Sequence, residues 1–197
     1  MRRRIGAALY VSGAVLLLAA GSAYARGAFA RDRARALWAE VDAHRAVTAA
    51  RASIDGGSLA IATRGAPVGR LVIPRIALDE VVVEGVGDDE LSAGPGHLPG
   101  SVLPGETGNA VVSAHRDRHF HGIDALAAGD TIITETSHDR VTWLVSSRRV
   151  VGRGEPALFS TAGATLTLTT CWPVRYVGPA PDRLIITASP VARAPRA

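Results

Sequence analysis

"ATLTLTTCWPVRYVGPAPDRLIITAS", residues 164–189, decides how the rest of this chain is read. Its first half alternates: Leu166, Leu168 and Thr170 fall on one side, Thr165, Thr167 and Thr169 on the other. Successive side chains leave a pleated backbone on opposite faces, so a period of two marks a strand with one face in a core. A segment rich in Pro and Gly follows, and "DRLIITAS" resumes the strand pattern. At the end of the first run stands Cys171, the one cysteine of the 197-residue chain. It has no intrachain disulfide partner, so the residues alone leave it either buried and inert or used.

The same pattern recurs upstream. "GRLVIPRI" (69–76), "VVVEGV" (81–86), "NAVVSAH" (109–115), "DTIITETS" (130–137) and "RVTWLVSSRRVV" (140–151) are short β-rich runs. They are separated by turn sequences such as "GPGHLPG", "LPGETGN", "AAGD" and "SHDR". The 21 Gly, 11 Pro and low aromatic content (5%) suit such a chain. Seven or eight short strands with this spacing predict an all-β, closed or nearly closed barrel. "GIDALAAG" (122–129) and "EPALFS" (155–160) are expected as single helical turns on connections.

The first residues follow a different rule. Arg2, Arg3 and Arg4 precede an uncharged run at 5–25, about 21 residues long. Roughly 20 apolar residues span a bilayer as a helix. Arginines ahead of the run favour a cytoplasmic N-terminus, which places the remainder outside. "AYA" at 23–25 has the small-x-small form of a signal-peptide cleavage site, but the run is longer than a usual signal core, so an uncleaved anchor is favoured. Next, Leu37, Val41, His44 and Thr48 recur at helical spacing, predicting a weakly amphipathic juxtamembrane helix. Residues 54–69 form a linker with a possible first strand. The expected organisation is a basic tip and transmembrane anchor (1–30), juxtamembrane helix and linker (31–66), catalytic barrel (67–190) and flexible tail (191–197).

Charge narrows the partners. The net charge of +4 is carried mainly by arginines near the anchor, and the chain has no lysine. Basic residues are not interleaved with aromatics, so a membrane surface fits better than a nucleic-acid groove, and no nucleic-acid partner is expected.

A cysteine nucleophile needs a proton shuttle and a stabiliser for the oxyanion. Of six histidines, His44 lies on the juxtamembrane helix and His97 and His138 sit in turn sequences, so all three are expected at the solvated surface. His119 and His121 form an H-x-H pair, which lacks a third ligand for a metal in any plausible pattern. His115 differs: it directly follows the apolar run "AVVSA", at a strand end. Glu84, on a strand, is a possible buried partner of unassigned role.

Taken together, these residues resemble the sortases, cysteine transpeptidases of bacterial surfaces. "TLTTC" is similar to the sortase T-L-x-T-C signature at Thr167, Leu168, Thr170 and Cys171, and "VRYVGPAPDRLIITA" looks like the class D form that follows it. "GNAVVSAHRDRHF" is similar to the family's histidine segment. "LVIPRIALDEVVVEGV" and "LSAGPGHLPGSVLPGETGN" match upstream stretches, so the resemblance covers nearly all of 68–189. Two positions depart from the pattern: Ala114 stands where Gly is usual before the histidine, and Trp172 where Tyr is usual.

The resemblance implies an eight-stranded sortase-type β-barrel with Cys171 as nucleophile, His115 as catalytic histidine and Arg183 as essential arginine at one end. Thr170 is expected beside the thiol as a substrate-binding residue, with Arg116 and Asp117 bracing the loop after His115. It implies a protein substrate with a C-terminal LPXTG-like sorting signal, cut between Thr and Gly. The acceptor would be an amine such as that of a peptidoglycan precursor. No cofactor is implied, and a calcium requirement is not readable.

Other exported cysteine enzymes fit less well. L,D-transpeptidases carry S-H-G-C, whereas Leu-Thr-Thr precedes Cys171 here, and NlpC/P60 peptidases place cysteine before histidine. An inactive sortase-fold scaffold, or a sortase acting mainly as a hydrolase, is the remaining alternative. No Asp-Pro pair occurs, so the lid of pilus-type sortases is not expected and a housekeeping-like or single-substrate role is favoured.

Overall fold

The computed structural model describes residues 2–49, 63–155 and 160–196, with side chains of the first helix described over 9–43. The expected turn at "EPALFS", the strand suggested within the linker before residue 63, and the side chains of His44 and Thr48 fall largely or wholly outside these residues.

Eight strands form from the runs identified above, with two additions. They are β1 (Pro67–Ile73), β2 (Leu78–Glu84), β3 (Gly96–His97), β4 (Asn109–Ser113), β5 (Thr131–Glu135), β6 (Asp139–Gly152), β7 (Thr165–Trp172) and β8 (Asp182–Pro195). Pro74 cannot continue the donor ladder, so β1 stops there and a single 3-10 turn, Pro74–Ile76, leads into β2. The additions are the two-residue β3 and a short helix, α2 (Asp88–Ala93). Asp88, Asp89 and Glu90 complement the positive end of α2. "GIDALAAG" does contain the expected single turn, at Ile123–Ala125.

The strands close in the order β1-β2-β3-β4-β7-β8-β6-β5, and β5 pairs back onto β1. Two pairs are parallel, β2 with β3 and β4 with β7, and the other pairs are antiparallel. Closure removes exposed sheet edges. Alternation then fills the interior: Ala110, Val112 and Ala114 of the β4 segment, Leu166 and Leu168 of β7, and Leu184, Ile186 and Ala188 of β8 belong to one buried cluster. Trp143 sits fully buried in it, with its indole N–H donating to Thr134 Oγ1 at 2.8 Å. Full burial of each large aliphatic contributes roughly 1.5–3 kcal/mol.

One helix, α1 (Arg2–Ala49), carries both the apolar run and the juxtamembrane segment without a break. At about 1.5 Å per residue its 48 residues reach roughly 70 Å, more than twice a bilayer core. Part of it is long and apolar enough to cross a membrane. Further along, Ala34 and Trp38 are buried against Val81 and Val83, so α1 docks on the outside of β2. Arg35 meets Glu80 at 3.1 Å.

The tail departs from expectation. Residues 191–195 are strand, because β6 is 14 residues long and offers partners as far as Asp139, opposite Pro195. Arg196 then pairs with Asp42 at 2.9 Å and lies 5.0 Å from the centre of the Trp38 ring, tying the end of the barrel to α1.

Candidate active site

Parity along three adjacent strands sets the site. Because Leu166, Leu168 and Leu184 point into the barrel, Cys171 and Arg183 point outward. They are direct cross-strand partners in the β7–β8 ladder, which puts their Cβ atoms about 4.5–5.5 Å apart. On the other flank β4 runs parallel to β7, with Ser113 opposite Thr169. Beyond the strand the two segments stay joined: Ala114 N–H donates to Thr169 O at 3.2 Å, and the Thr170 hydroxyl donates to Ala114 O at 2.7 Å. Counting two residues from Ser113 and two from Thr169 brings His115 level with Cys171. The β7–β8 register sets Cys171 opposite Arg183, and the β4–β7 register, extended two residues past the end of β4, sets His115 level with them. All three are half-buried. No hydrogen bond joins their side chains among the described residues, and Arg183 makes no ion pair there.

His115 is fixed by its turn. Its carbonyl accepts from Arg118 N–H at 3.3 Å and Phe120 N–H at 3.1 Å, while Phe120 is fully buried. Burial pushes the imidazole below its ordinary value; Asp117 opposes this, and Arg118 adds to it. Ala114 causes no strain, since among described non-glycine residues only Ala77 has positive φ (51°).

A sortase-domain family model matches residues 71–191. The chain belongs to the sortase family. It is 36% identical over 124 residues to Sortase D of Bacillus subtilis, a match covering 62% of this chain and 63% of that protein, so it spans less than two thirds of its relative's length. The sortase is class D-like by this similarity. Among solved structures, a Clostridium perfringens Sortase D5 transpeptidase superposes with a TM-score of 0.66 at 21% identity, over 83% of this chain and 99% of that one. The catalytic domain of Bacillus anthracis SrtD gives 0.57 at 28% identity, over 70% and 96%.

Several expectations for this sortase change on inspection. Thr170 is 2% exposed, with its hydroxyl committed to Ala114 O, because alternation turns it into the barrel while Cys171 faces out. Its role is therefore to hold the His115 segment on β7, and the expected substrate contact through its hydroxyl is withdrawn. Thr169, not singled out from sequence, shares the outer face with Cys171, and its buried hydroxyl has no partner among the described residues.

His97 is not solvated but 4% exposed. Its Nδ1 lies 2.6 Å from Glu84 Oε2, and its Nε2 meets Ser101 Oγ at 2.8 Å and Val102 O at 3.0 Å. Glu84 is thus a partner of His97, in the barrel wall rather than in the site. The turn sequence hid this because β3 is two residues long and carries no readable alternation. His138 is exposed, as expected. The H-x-H pair is split: His121 is exposed, whereas His119 is buried with Nδ1 3.6 Å from Glu80 Oε1.

Arg116 reaches further than the loop after His115. Its guanidinium donates to three carbonyls of the β7–β8 loop, Pro173 at 3.2 Å, Tyr176 at 2.9 Å and Gly178 at 2.7 Å, and lies 5.7 Å from the centre of the Tyr176 ring. Arg153 donates to Ala180 O in the same loop. The loop separating Cys171 from Arg183 is thereby held from the residue next to His115.

Proposed function

We propose that this sortase is a membrane-anchored cysteine transpeptidase acting on an LPXTG-like sorting signal outside the cytoplasm. The supporting observation is the row of His115, Cys171 and Arg183 across three adjacent strands, on the outer face of the wall. The Cys171 thiolate attacks the carbonyl carbon of the signal's Thr, and the developing oxyanion meets the Arg183 guanidinium. The C–N bond to Gly then breaks as the His115 imidazolium gives its proton to the departing amine. An acceptor amine, such as that of a peptidoglycan precursor, attacks the thioester. Its proton returns to His115, and the Cys171 thiolate leaves.

Burial of His115 lowers the share of imidazolium, but it makes that imidazolium a stronger acid for the departing amine. A smaller active population is thereby traded for easier proton transfer.

The length and composition of α1 support the anchor, with the barrel next to the bilayer. A reporter fused after Ala197 is expected to be active only if it is one that works outside the cytoplasm. Intact-mass spectrometry of the full chain with a sorting peptide tests the chemistry: a covalent adduct is expected for wild type and none for Cys171→Ala. Peptide cleavage by wild type at a normal rate, with no trappable adduct under acid quench, would end this reading.

A further inference from the structure

A cleft of about 490 Å³ lies between α1 and the barrel, within the roughly 300–1,000 Å³ typical of ligand sites. On the α1 side it is lined by Tyr24, Gly27 and Ala28, where the apolar run of α1 ends. Its inner wall is the turn after His115 together with the start of β2. Gly27 permits the close approach, since a methyl group there would stand 3.2 Å from Arg118 Nη1 and 3.3 Å from Ser92 O.

The charges lining this cleft are unequally engaged. Asp79 is held by two bonds from Arg70, at 2.7 and 2.6 Å, and Glu80 by Arg35 at 3.1 Å with Arg31 and His119 nearby. Those neighbours hold the Glu80 carboxyl below its ordinary range although burial pushes it up. Asp117 is the one lining acid without such a partner among the described residues, and it is exposed. On the cationic side, Arg118 forms no ion pair among the described residues. Arg31 Nε and His119 Nε2 are buried with no hydrogen-bond partner there. His119 as a whole is only 9% exposed. A buried polar group without a partner is costly, so the cleft is incomplete as it stands.

We propose that this cleft binds the phosphodiester headgroup of an anionic membrane lipid, with Arg31, Arg118 and His119 as its ligands. The proposal rests on reading α1 as the membrane span, which brings the lip of the cleft to headgroup level. Arginine nitrogens match the geometry of phosphate oxygens. With Nδ1–H turned to Glu80, the His119 Nε2 is the free ring position. It accepts from a headgroup hydroxyl as the neutral ring and donates to a phosphoryl oxygen as the imidazolium. An occupant there would also brace the turn that carries His115.

The test uses the full chain extracted in detergent, titrated with dioctanoyl phosphatidylglycerol, dioctanoyl phosphatidylcholine or inorganic phosphate, and read by native mass spectrometry. One phosphatidylglycerol per chain is expected, bound at least about tenfold more tightly than either alternative. Arg118→Ala and His119→Gln should each weaken it about tenfold. Arg118 is exposed, so its variant remains informative if His119→Gln folds poorly. Equal binding of the two lipids, or wild-type affinity in a folded Arg118→Ala chain, overturns the proposal. Inorganic phosphate binding as tightly as the lipid overturns it in favour of a free-phosphate site. Recovery of a processed, soluble chain from cells would instead remove the membrane reading. Loss of lipid preference in an intact, membrane-extracted chain removes this proposal alone.

Discussion

Cys171 and Arg183 are cross-strand partners, one residue directly opposite the other on the outer face of the barrel. They are twelve positions apart in sequence, and the β7–β8 ladder alone brings them together. Arg183 forms no ion pair among the described residues, so the fold does not explain why a cation stands there. Loss of one oxyanion donor typically costs about 10²–10³ in rate, or ~2.7–4 kcal/mol. Arg183→Ala should therefore lose turnover on that scale while its melting temperature stays near wild type. Arg183→Lys keeps the charge without the planar fork and should recover only part of the rate. An Arg183→Ala enzyme that melts early but turns over normally would make the arginine structural.

Arg116 provides a second, indirect lever on the same groups. It donates to three carbonyls of the loop between Cys171 and Arg183, and it follows His115 in sequence. Arg116→Ala should loosen this loop, raising amide exchange over 174–181 while the β7 and β8 ladders stay protected. Arg116→Lys, with one nitrogen instead of a fork, should restore little of that protection. Unchanged exchange in Arg116→Ala would mean that Arg153 and local packing hold the loop unaided.

The barrel was legible in sequence because alternation marks its strands, whereas Arg183 came from the family resemblance, and only the β7–β8 register sets it opposite Cys171. Leu166, Leu168 and Thr170 against Thr165, Thr167 and Thr169 set the parity that sends Cys171 outward. What stayed hidden depends on contacts rather than period. Gly96 and His97 form a strand too short to show alternation, so His97 read as a surface turn residue. Residues 191–195 have no core-facing pattern, and they are strand only because β6 extends far enough to pair with them. The burial of His119 beside Glu80 of β2 is a tertiary contact, which no local pattern encodes.

The pH dependence should carry the mark of His115. Its burial and Arg118 lower the imidazole value, and Asp117 partly offsets them. The acid limb of kcat/KM therefore belongs below the ordinary value of about 6.5. Asp117→Asn removes the influence that raises it and should move the limb to lower pH. Arg118→Gln removes one that lowers it and should move the limb up. Both side chains are exposed, so the shifts should shrink as salt is added. Shifts in the opposite directions would assign the limb to another group.

Two histidines in this barrel have strong claims to importance, and they should separate by experiment. His97 is buried between Glu84 and Ser101, and Ser101 Oγ also accepts from Val111 N–H of β4 at 3.2 Å. His115 makes no side-chain hydrogen bond among the described residues but stands level with Cys171. Removing one partner of a buried hydrogen bond leaves the other unsatisfied, at a cost of about 1–3 kcal/mol. His97→Ala and Glu84→Ala should each lower stability on that scale in urea unfolding, and the double variant should cost less than their sum. The folded fraction of His97→Ala should still form the Cys171 adduct. His115→Ala should unfold near the wild-type midpoint and lose turnover, while His121→Ala, exposed on the same turn, should keep both properties. If His97→Ala folds fully and cannot turn over, whereas His115→Ala works, the proton shuttle lies with His97, and the row across β4, β7 and β8 is not the site of chemistry.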